Sequence, residues 1–304
     1  MIEIAIHILL LLLLPPLLLG VINKTKALFA GRRGPPLLQL YFDIAKLLNK
    51  GVVLSTTTTW VFVAAPVVVV VTVVLAGLVV PLGRFDAPIQ FTGDLILFAY
   101  LFGLARFFTT TAALDTGSPF EGMGAAREVT FACMSEPALF FAMLVLARIS
   151  GSFTLTGLLH WPVTMADPLN YYAAPLVLVA IGLFIVLLAE NCRIPVDDPN
   201  THLELTMIHE VMVLDHSGPL LGLILYGASL KLFILEALFL NVVAPFHFGN
   251  PWLDWSTFVL EMLGVAVGVG VVESIIARLQ MRHVPYLLIA AVLLCGFGFV
   301  LLVR

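Results

Sequence analysis

Between residues 189 and 218 an otherwise apolar sequence becomes polar and rich in groups that exchange protons. The segment reads AENCRIPVDDPNTHLELTMIHEVMVLDHSG and contains six of the chain's 19 acidic residues, one arginine and three histidines. The acidic residues are Glu190, Asp197, Asp198, Glu204, Glu210 and Asp215. Carboxylates at the end of a membrane helix are costly and mark functional sites. We therefore expect this segment to have a functional role.

The histidines of this segment do not have the spacing of a metal site. Thr201 and Glu204 form a T-x-x-E capping box, which predicts the start of a helix. On that helix His202 and His209 would lie about 10.5 Å apart, too far to share one metal ion. The sequence also has no HxxxH or HExxH motif. The histidines are then either exposed or partner-contacting residues, or members of a proton relay, because histidine titrates near neutral pH.

Further charged residues fall inside apolar stretches. An ionised acid at the depth of Glu136 costs about 2.5–3.5 kcal/mol, so it must be protonated or paired. Arg127 and Glu128 enter the same stretch and have the pattern of an ion pair at a helix end. Lys231 needs a carboxylate from another helix, since Glu236 points partly away on its own helix. The full set also includes Asp94, Arg106, Glu190, Glu261 and Glu273.

The composition is that of an integral membrane protein. Of 304 residues, 61% are hydrophobic and 11% are charged, whereas soluble domains carry about 25% charged residues. Cys133, Cys192 and Cys295 are far apart and form no CxxC pair. We expect them to be packed, inert thiols and to hold no cofactor. No feature indicates nucleic-acid binding.

Eight apolar stretches are long enough to cross a bilayer as helices. They predict an all-α, polytopic fold with a single membrane domain over residues 1–304. The first stretch is predicted to be an uncleaved span, because Glu3 precedes it and the lysines follow it. No internal repeat is visible, which argues against an inverted-repeat transporter. The spans are 2–22, 60–81, 93–113, 125–149, 171–190, 217–241, 256–277 and 284–303.

The distribution of basic residues predicts the orientation. One side receives ten of them and the other, which holds both termini, receives three. The positive-inside rule then places the termini outside and the loops 23–59, 114–124, 191–216 and 278–283 in the cytoplasm. The ten are Lys24, Lys26, Arg32, Arg33, Lys46, Lys50, Arg127, Arg193, Arg278 and Arg282, and the three are Arg84, Arg148 and Arg304.

The first loop, GRRGPPLLQLYFDIAKLLNKG, predicts an amphipathic helix after Pro36. Its apolar residues recur at helical spacing, and Asp43 and Lys46 are placed to pair on its polar face. The helix either lies on the membrane or docks a soluble partner, and Arg32 and Arg33 fit both. The apolar residues are Leu37, Leu40, Tyr41, Ile44, Leu47 and Leu48. The second loop is predicted to be turn-rich because of Gly117, Pro119, Gly122 and Gly124.

These loops resemble those of one family. GRRGPPLLQLYFDIAKLL, LDTGSPFEGMGAAREVTF and the 189–218 segment together resemble the membrane subunit of formate hydrogenlyase (subunit 4) and hydrogenase-4 (component C). That family is similar to subunit 1, or H, of respiratory complex I. The resemblance covers nearly the whole chain.

The resemblance implies a cofactor-free subunit of the cytoplasmic membrane that anchors a soluble electron-transfer arm. The Ni–Fe centre and Fe–S clusters would belong to hydrogenase large and small subunits and an Fe–S protein. Antiporter-like membrane subunits would move protons or sodium. An ion route would use Glu128, Glu136, Glu190, Asp197, Glu204, Glu210, Asp215 and Lys231. Arg127 and Arg193 would organise the loops, and the arm would dock on Arg32, Arg33, Gln39, Asp43 and Lys46.

Two other functions compete with this one. The sequence departs from complex I relatives at Val196, Asp198, Asn200 and His202, but a quinone-site subunit of complex I is still an alternative. An autonomous secondary transporter is the third hypothesis, and its support is the set of charges inside the spans.

Overall fold

The computed structural model describes residues 2–160, 168–197, 207–244 and 248–303, with side chains from residue 172 onward in the second range. Within these ranges the chain contains no β-strand, as the all-α prediction requires. Short 3-10 helices span Glu210–Val213 and Met281–His283. The α-helices are α1 (Ile2–Leu13), α2 (Pro15–Phe29), α3 (Gln39–Leu48), α4 (Trp60–Val79), α5 (Asp94–Asp115), α6 (Pro119–Ser150), α7 (Leu155–Leu159), α8 (Pro168–Glu190), α9 (Gly218–Val243), α10 (Pro251–Ile275) and α11 (Val284–Val303).

Seven of these helices are long and apolar enough to cross a membrane, and the bent pair α1–α2 brings the number to eight. The seven correspond to the predicted spans from residue 60 onward, with ends that differ by six residues or fewer. The valine run at 67–71 is helical, because a backbone in hydrocarbon must satisfy its own hydrogen bonds.

The first span differs from its prediction. It continues to Phe29 instead of ending at residue 22, and it bends by 47° between Leu13 and Pro15. Pro15 and Pro16 supply no backbone N–H, so the hydrogen-bond ladder of α1 cannot continue through them. The single helix predicted over residues 2–22 is therefore two helices, α1 and α2.

The predicted second loop is also wrong in extent, because α6 begins at Pro119 and leaves only residues 116–118 outside a helix. Gly124 lies within α6 and is buried. A side chain there would meet Val211, Met212 and the carbonyl of Ile208. The glycine therefore provides close packing between α6 and the third loop, where the sequence had suggested a turn.

Helix α9 is the centre of the bundle. Two thirds (67%) of the residues in its most apolar stretch are buried, against at most 39% in the other six long helices that could cross a membrane. It therefore positions any charged group that it carries, including Lys231, inside protein.

The described parts of the four predicted loops lie at one end of the bundle, which we call the loop end (residues 30–59, 116–118, 191–197, 207–217 and 276–283), and Thr57 of the first loop donates to Thr116 O of the second at 3.2 Å. Ser217 Oγ hydrogen-bonds to the backbone of Val53, and the backbone N–H of Leu279 donates to Pro195 O at 3.0 Å. At the opposite end Asn241 donates to Pro81 O at 2.8 Å. Hydrogen bonds between loops therefore hold this end of the bundle together.

The first-loop helix exists as α3, packed against α9 and α2. Leu40, Tyr41, Ile44 and Leu47 are half-buried, whereas Leu37 and Leu48 are exposed. The expected Asp43–Lys46 pair is not formed, because Asp43 accepts a hydrogen bond from Gln39 at 2.9 Å. Gln39 lies one turn before Asp43 on the inner side of the helix.

Candidate functional site

The centre of the candidate site is Arg106, in the middle of α5. Its side chain is 11% exposed, and its guanidinium contacts three carboxylates from two other helices. Nη2 donates to Glu190 Oε2 at 2.6 Å, Nε lies 3.4 Å from Glu128 Oε1, and Nη1 donates to Glu136. Arginine suits this position because its planar fork presents five N–H donors in several directions.

Glu190, the last residue of α8, extends the network to α9. Lys231 Nζ lies 2.7 Å from Glu190 Oε2, and Ser135 donates to Glu190 Oε1 at 2.5 Å. The expectation that Lys231 pairs with a carboxylate of another helix is thus met. We call Arg106, Glu128, Glu136, Glu190 and Lys231 the Arg106 network.

The Arg106 network carries an odd number of charges. Three carboxylates face two basic groups, so full ionisation leaves one excess negative charge. One carboxylate therefore has no matching basic group within the network.

Arg106 itself was missed as a site residue in the sequence. The available signal was its position as the single charged residue within the predicted span 93–113 after Asp94. An intramembrane arginine must face protein and find partners. Its partners follow it by 22, 30 and 84 residues, which no local pattern links to it.

The third loop is held against the bundle by two arginines. Arg127, predicted to organise the loops, donates to Met207 O at 2.8 Å. Arg278 lies 2.7 Å from Asp197 Oδ1, whose other oxygen accepts the backbone N–H of Ile208 at 2.9 Å. Asp197 is buried, so these bonds connect the loop before and after residues 198–206, which lie outside the described chain.

Replacing Arg278 by alanine should loosen the third loop. Loss of a charge-assisted hydrogen bond costs about 1.5–3 kcal/mol, which corresponds to roughly 10- to 150-fold faster local opening. Hydrogen exchange of the peptide that contains Ile208 measures this opening in the purified complex. Arg282→Ala, at an exposed arginine of the same segment, is the control. Equal exchange rates in the two variants would show that the ion pair between Asp197 and Arg278 does not hold the third loop in place.

Arg193, predicted to organise the loops, contacts a carboxylate of another helix. Its Nη1 lies 3.5 Å from Glu273 Oε1 on α10. Lys26 of α2 lies 2.7 Å from the other oxygen of the same carboxylate. Glu273 is buried, so Arg193 joins the end of α8 to α2 and α10.

Three cavities lie at the loop end and around the Arg106 network. The first, of about 240 Å³, lies between α2, α3 and the third loop and is lined by Gln39, Asp43, Asp197 and Glu210. Two cavities of about 60 Å³ border the network, one at Glu190 and Lys231 and the other at Arg106 and Glu128. His209 lines all three. The proton-relay interpretation of the histidines therefore has one well-placed candidate.

The remaining predicted residues are spread more widely. Asp215 is exposed and lies apart from the network, while its backbone N–H donates to the buried Glu121 at 3.0 Å. Arg32, Arg33 and Lys46 are exposed, as a docking surface requires. Glu204, His202 and the capping box lie outside the described residues. His209 precedes a four-residue 3-10 helix, so the predicted α-helix does not continue to it.

Metal-binding geometry is not found in the part of the chain that the structure describes: no three His, Cys, Asp or Glu side chains are grouped to hold an ion. Cys192 and Cys295 are buried, but Cys133 is exposed, against the expectation of packing. Burial and the nearby carboxylates Glu128 and Asp197 raise the pKa of the Cys192 thiol. Cys192 is therefore a neutral thiol at physiological pH.

His216 links α4 to the start of α9. Its ring stacks on Phe62 with centroids 3.9 Å apart. Burial lowers the pKa of His216 to about 4, although Asp215 acts in the opposite direction. In the unfolded chain the pKa of this histidine is about 6.5. Between pH 6.5 and pH 4 the unfolded chain therefore binds a proton at His216 and the folded chain does not. Stability is therefore lost as pH falls from about 6.5 to 4 and is unaffected above that window.

Replacing His216 by phenylalanine should remove part of this acid sensitivity. The thermal inactivation temperature of the purified complex should fall less between pH 7.5 and pH 5 in the variant than in the unmodified complex. His283→Phe, at an exposed histidine, should leave the difference unchanged. An identical fall in all three proteins would mean that other groups set the acid sensitivity.

These features define a polytopic membrane protein with a buried charge network beneath a polar loop end. The chain belongs to the NADH dehydrogenase family, whose sequence profile matches residues 2–304. This confirms the resemblance to complex I subunit 1 that the loop motifs carried. The chain is a membrane subunit of the hydrogenase, formate hydrogenlyase and complex I-like class.

Two relatives from Escherichia coli (strain K12) are similar over most of their length. Formate hydrogenlyase subunit 4 is 32% identical, covering 98% of this chain and 95% of the relative. Hydrogenase-4 component C is 33% identical, covering 91% and 89%. A chain in the structure of the membrane-bound sulfane sulfur reductase, an archaeal respiratory membrane complex, has the same fold with a TM-score of 0.81. It is 22% identical, with coverage of 99% and 98%.

Proposed function

We propose that this chain anchors a soluble redox arm to the cytoplasmic membrane and couples its electron transfer to proton or sodium translocation. The arm would contain hydrogenase large and small subunits with a Ni–Fe centre, and an Fe–S protein. Antiporter-like membrane subunits would be its neighbours in the bilayer. The chain itself would hold no cofactor, consistent with the scattered positions of its cysteines.

The observation that carries the coupling role is the Arg106 network beside the cavities at the loop end. The network has three carboxylates against two basic groups, and His209 lines the larger cavity as well as the two smaller ones that border the network. Moving one charge across 100 mV takes about 2.3 kcal/mol, so the proton must be driven by redox energy released nearby. The loop end is where a redox arm would come nearest to the network.

The docking role rests on the exposed part of the loop end. Arg32 and Arg33 are exposed, and Phe29 at the end of α2 and Phe42 of α3 are 57% and 61% exposed. An exposed surface of mixed aromatic and arginine residues is typical of protein interfaces. Basic-residue bias places this surface in the cytoplasm and both termini outside, so the arm would be cytoplasmic.

Replacing Glu136 by glutamine tests the coupling role. Glutamine keeps the shape and the hydrogen-bond acceptor but removes one charge of the network. The complex should assemble normally, while ion uptake into inverted membrane vesicles, driven by its own electron donor, should fall by about tenfold, the equivalent of 1.4 kcal/mol. Glu261→Gln, on α10 and outside the network, is the control. Normal pumping by an intact Glu136→Gln complex would refute the ion-route assignment.

Native mass spectrometry of the complex, combined with metal analysis, tests the anchoring role. We expect co-purification with Fe–S and antiporter-like subunits, and nickel if the arm is a working hydrogenase. A stable, monodisperse chain that transports ions alone in liposomes would favour the autonomous transporter instead.

A quinone site is the second candidate, and the cavity of about 240 Å³ between α3 and the third loop favours it. It would hold a ring near Gln39, Asp43 and Asp197. Quinone-site inhibitors should then compete with electron transfer, and a bulky side chain at Ala228, which lines the cavity, should weaken them. Absence of any quinone effect on the purified complex would remove this candidate.

A further inference from the structure

Glu136 is the carboxylate of the Arg106 network that reaches the outer surface of the bundle. It lies near the midpoint of α6 (Pro119–Ser150), yet 46% of its side-chain surface is exposed. The other carboxylates of the Arg106 network, Glu128 and Glu190, are 15% and 10% exposed. Because the network has one excess negative charge, the exposed carboxylate is the one that most needs an external cation or donor.

The exposed carboxylate lies in the wall of a lateral opening between α5 and α6. The opening has a volume of about 780 Å³, and its lining is mainly apolar apart from Arg106, Ser135, Glu136 and Glu190. Tyr100 and Phe107, which border it, are 74% and 60% exposed. The opening therefore leads from the outer surface of the bundle to the charge network.

The outer face of α5 has the pattern of a helix-packing surface. Ile96, Tyr100, Gly103 and Phe107 follow one another at intervals of three and four residues and are all exposed. A side chain built on Gly103 would meet no atom within 4 Å. Small residues flanked by large apolar ones let a second membrane helix approach closely. A groove of this form fits a helix.

Lipid alone does not satisfy this face. Acyl chains carry neither donor nor charge, and phospholipid headgroups remain at the interface. The outer face of α11 provides a contrast, since Tyr286, Leu293 and Phe297 are exposed there and the helix has no charged residue. Hydrocarbon can cover α11 at no electrostatic cost, whereas at the α5–α6 opening it would cover a carboxylate.

We propose that the α5–α6 opening is the docking site for a transmembrane helix of a neighbouring subunit that carries a basic side chain at mid-membrane depth, opposite Glu136. The basic group would complete the Arg106 network and balance its charge. The proposal rests on the proposed function in one respect, namely that the chain works within a multisubunit membrane complex. It does not depend on which ion moves or on whether ions move at all.

Photocrosslinking in the intact complex tests the proposal. The photoreactive residue p-benzoylphenylalanine would replace Tyr100 or Phe107 in turn, and Phe297 on α11 as the aromatic control. We expect Tyr100 and Phe107 to label one transmembrane segment of one subunit, with a lysine, arginine or histidine within a turn of the labelled residue. Adducts with lipid only, or with a helix that lacks a basic residue, would overturn the proposal. Labelling of the same segment by the photoreactive residue at position 297 would also overturn the proposal.

A steric wedge provides a second, independent measurement. Gly103→Leu should lower recovery of the labelled subunit with the complex by about tenfold, because a side chain inserted into a packed interface is not accommodated. Gly296→Leu on α11, where a side chain also meets nothing within 4 Å, should leave recovery unchanged. Full recovery with Gly103→Leu would count against docking at this face. Normal ion flux in the Glu136→Gln complex, together with the expected crosslinks from Tyr100 and Phe107, would instead refute only the coupling function.

Discussion

Replacement of Arg106 by glutamine is expected to exclude the subunit from the assembled complex. Three carboxylates would lose their common donor inside the bundle. Removing one partner of a buried ion pair costs about 3–5 kcal/mol, a large part of the 5–15 kcal/mol that stabilises a typical domain. The amount of tagged chain in the native complex should fall to about a tenth or less of the unmodified level.

Two further variants make the Arg106 result specific. Arg106→Lys keeps the charge but offers a single point charge to three carboxylates, so its level should be intermediate. Arg148→Gln, at an exposed arginine near the end of α6, should assemble normally. Normal assembly of Arg106→Gln would mean that the carboxylates are protonated and need no cation.

Replacement of Glu190 by glutamine should separate electron transfer from ion movement more completely than any other single change in the network. Glu190 is the one carboxylate that contacts both Arg106 and Lys231, at 2.6 and 2.7 Å. Glutamine removes the charge that holds Lys231 but keeps an acceptor for Ser135. Loss of a hydrogen bond to a charged group, about 1.5–3 kcal/mol, corresponds to a 10- to 150-fold fall in coupled ion uptake.

Electron transfer to a soluble acceptor, measured on the same membranes, should stay close to the unmodified rate in Glu190→Gln. The double variant Glu190→Gln with Lys231→Gln should be no worse than the single one, because the two groups act as a pair. An additive loss in the double variant would show that Lys231 acts independently of Glu190. Glu261→Gln again controls for loss of a membrane carboxylate outside the network.

The helices could be predicted from the sequence because hydrocarbon imposes a length and a composition on each span. Pro15 and Pro16 are a sequence signal for the bend, since proline ends a helical hydrogen-bond ladder. The bend was not predicted because the apolar run continues across the two prolines. Gly122 and Gly124 were misread as turn residues. Glycine in a membrane helix also serves close packing, and the sequence does not reveal that residues 208–212 lie against Gly124.

The candidate site could be predicted only in part. Lys231 was expected to need a carboxylate from another helix, and the depth of Glu136 required a partner. Neither argument could say that Arg106 supplies the link, because ion pairs between helices depend on packing angles that leave no trace in local spacing. The loop arginine Arg278 was overlooked for the same reason, whereas Arg127 was found through its position in a recognisable motif.

The Arg106 network has a mechanical consequence, because its five charged groups come from four helices: α5, α6, α8 and α9. No one of these helices can slide or rotate without lengthening at least one contact between opposite charges. The relative positions of these four helices and the strength of the ion pairs between them therefore change together. A displacement of one of these four helices is therefore transmitted to the other three through ion pairs.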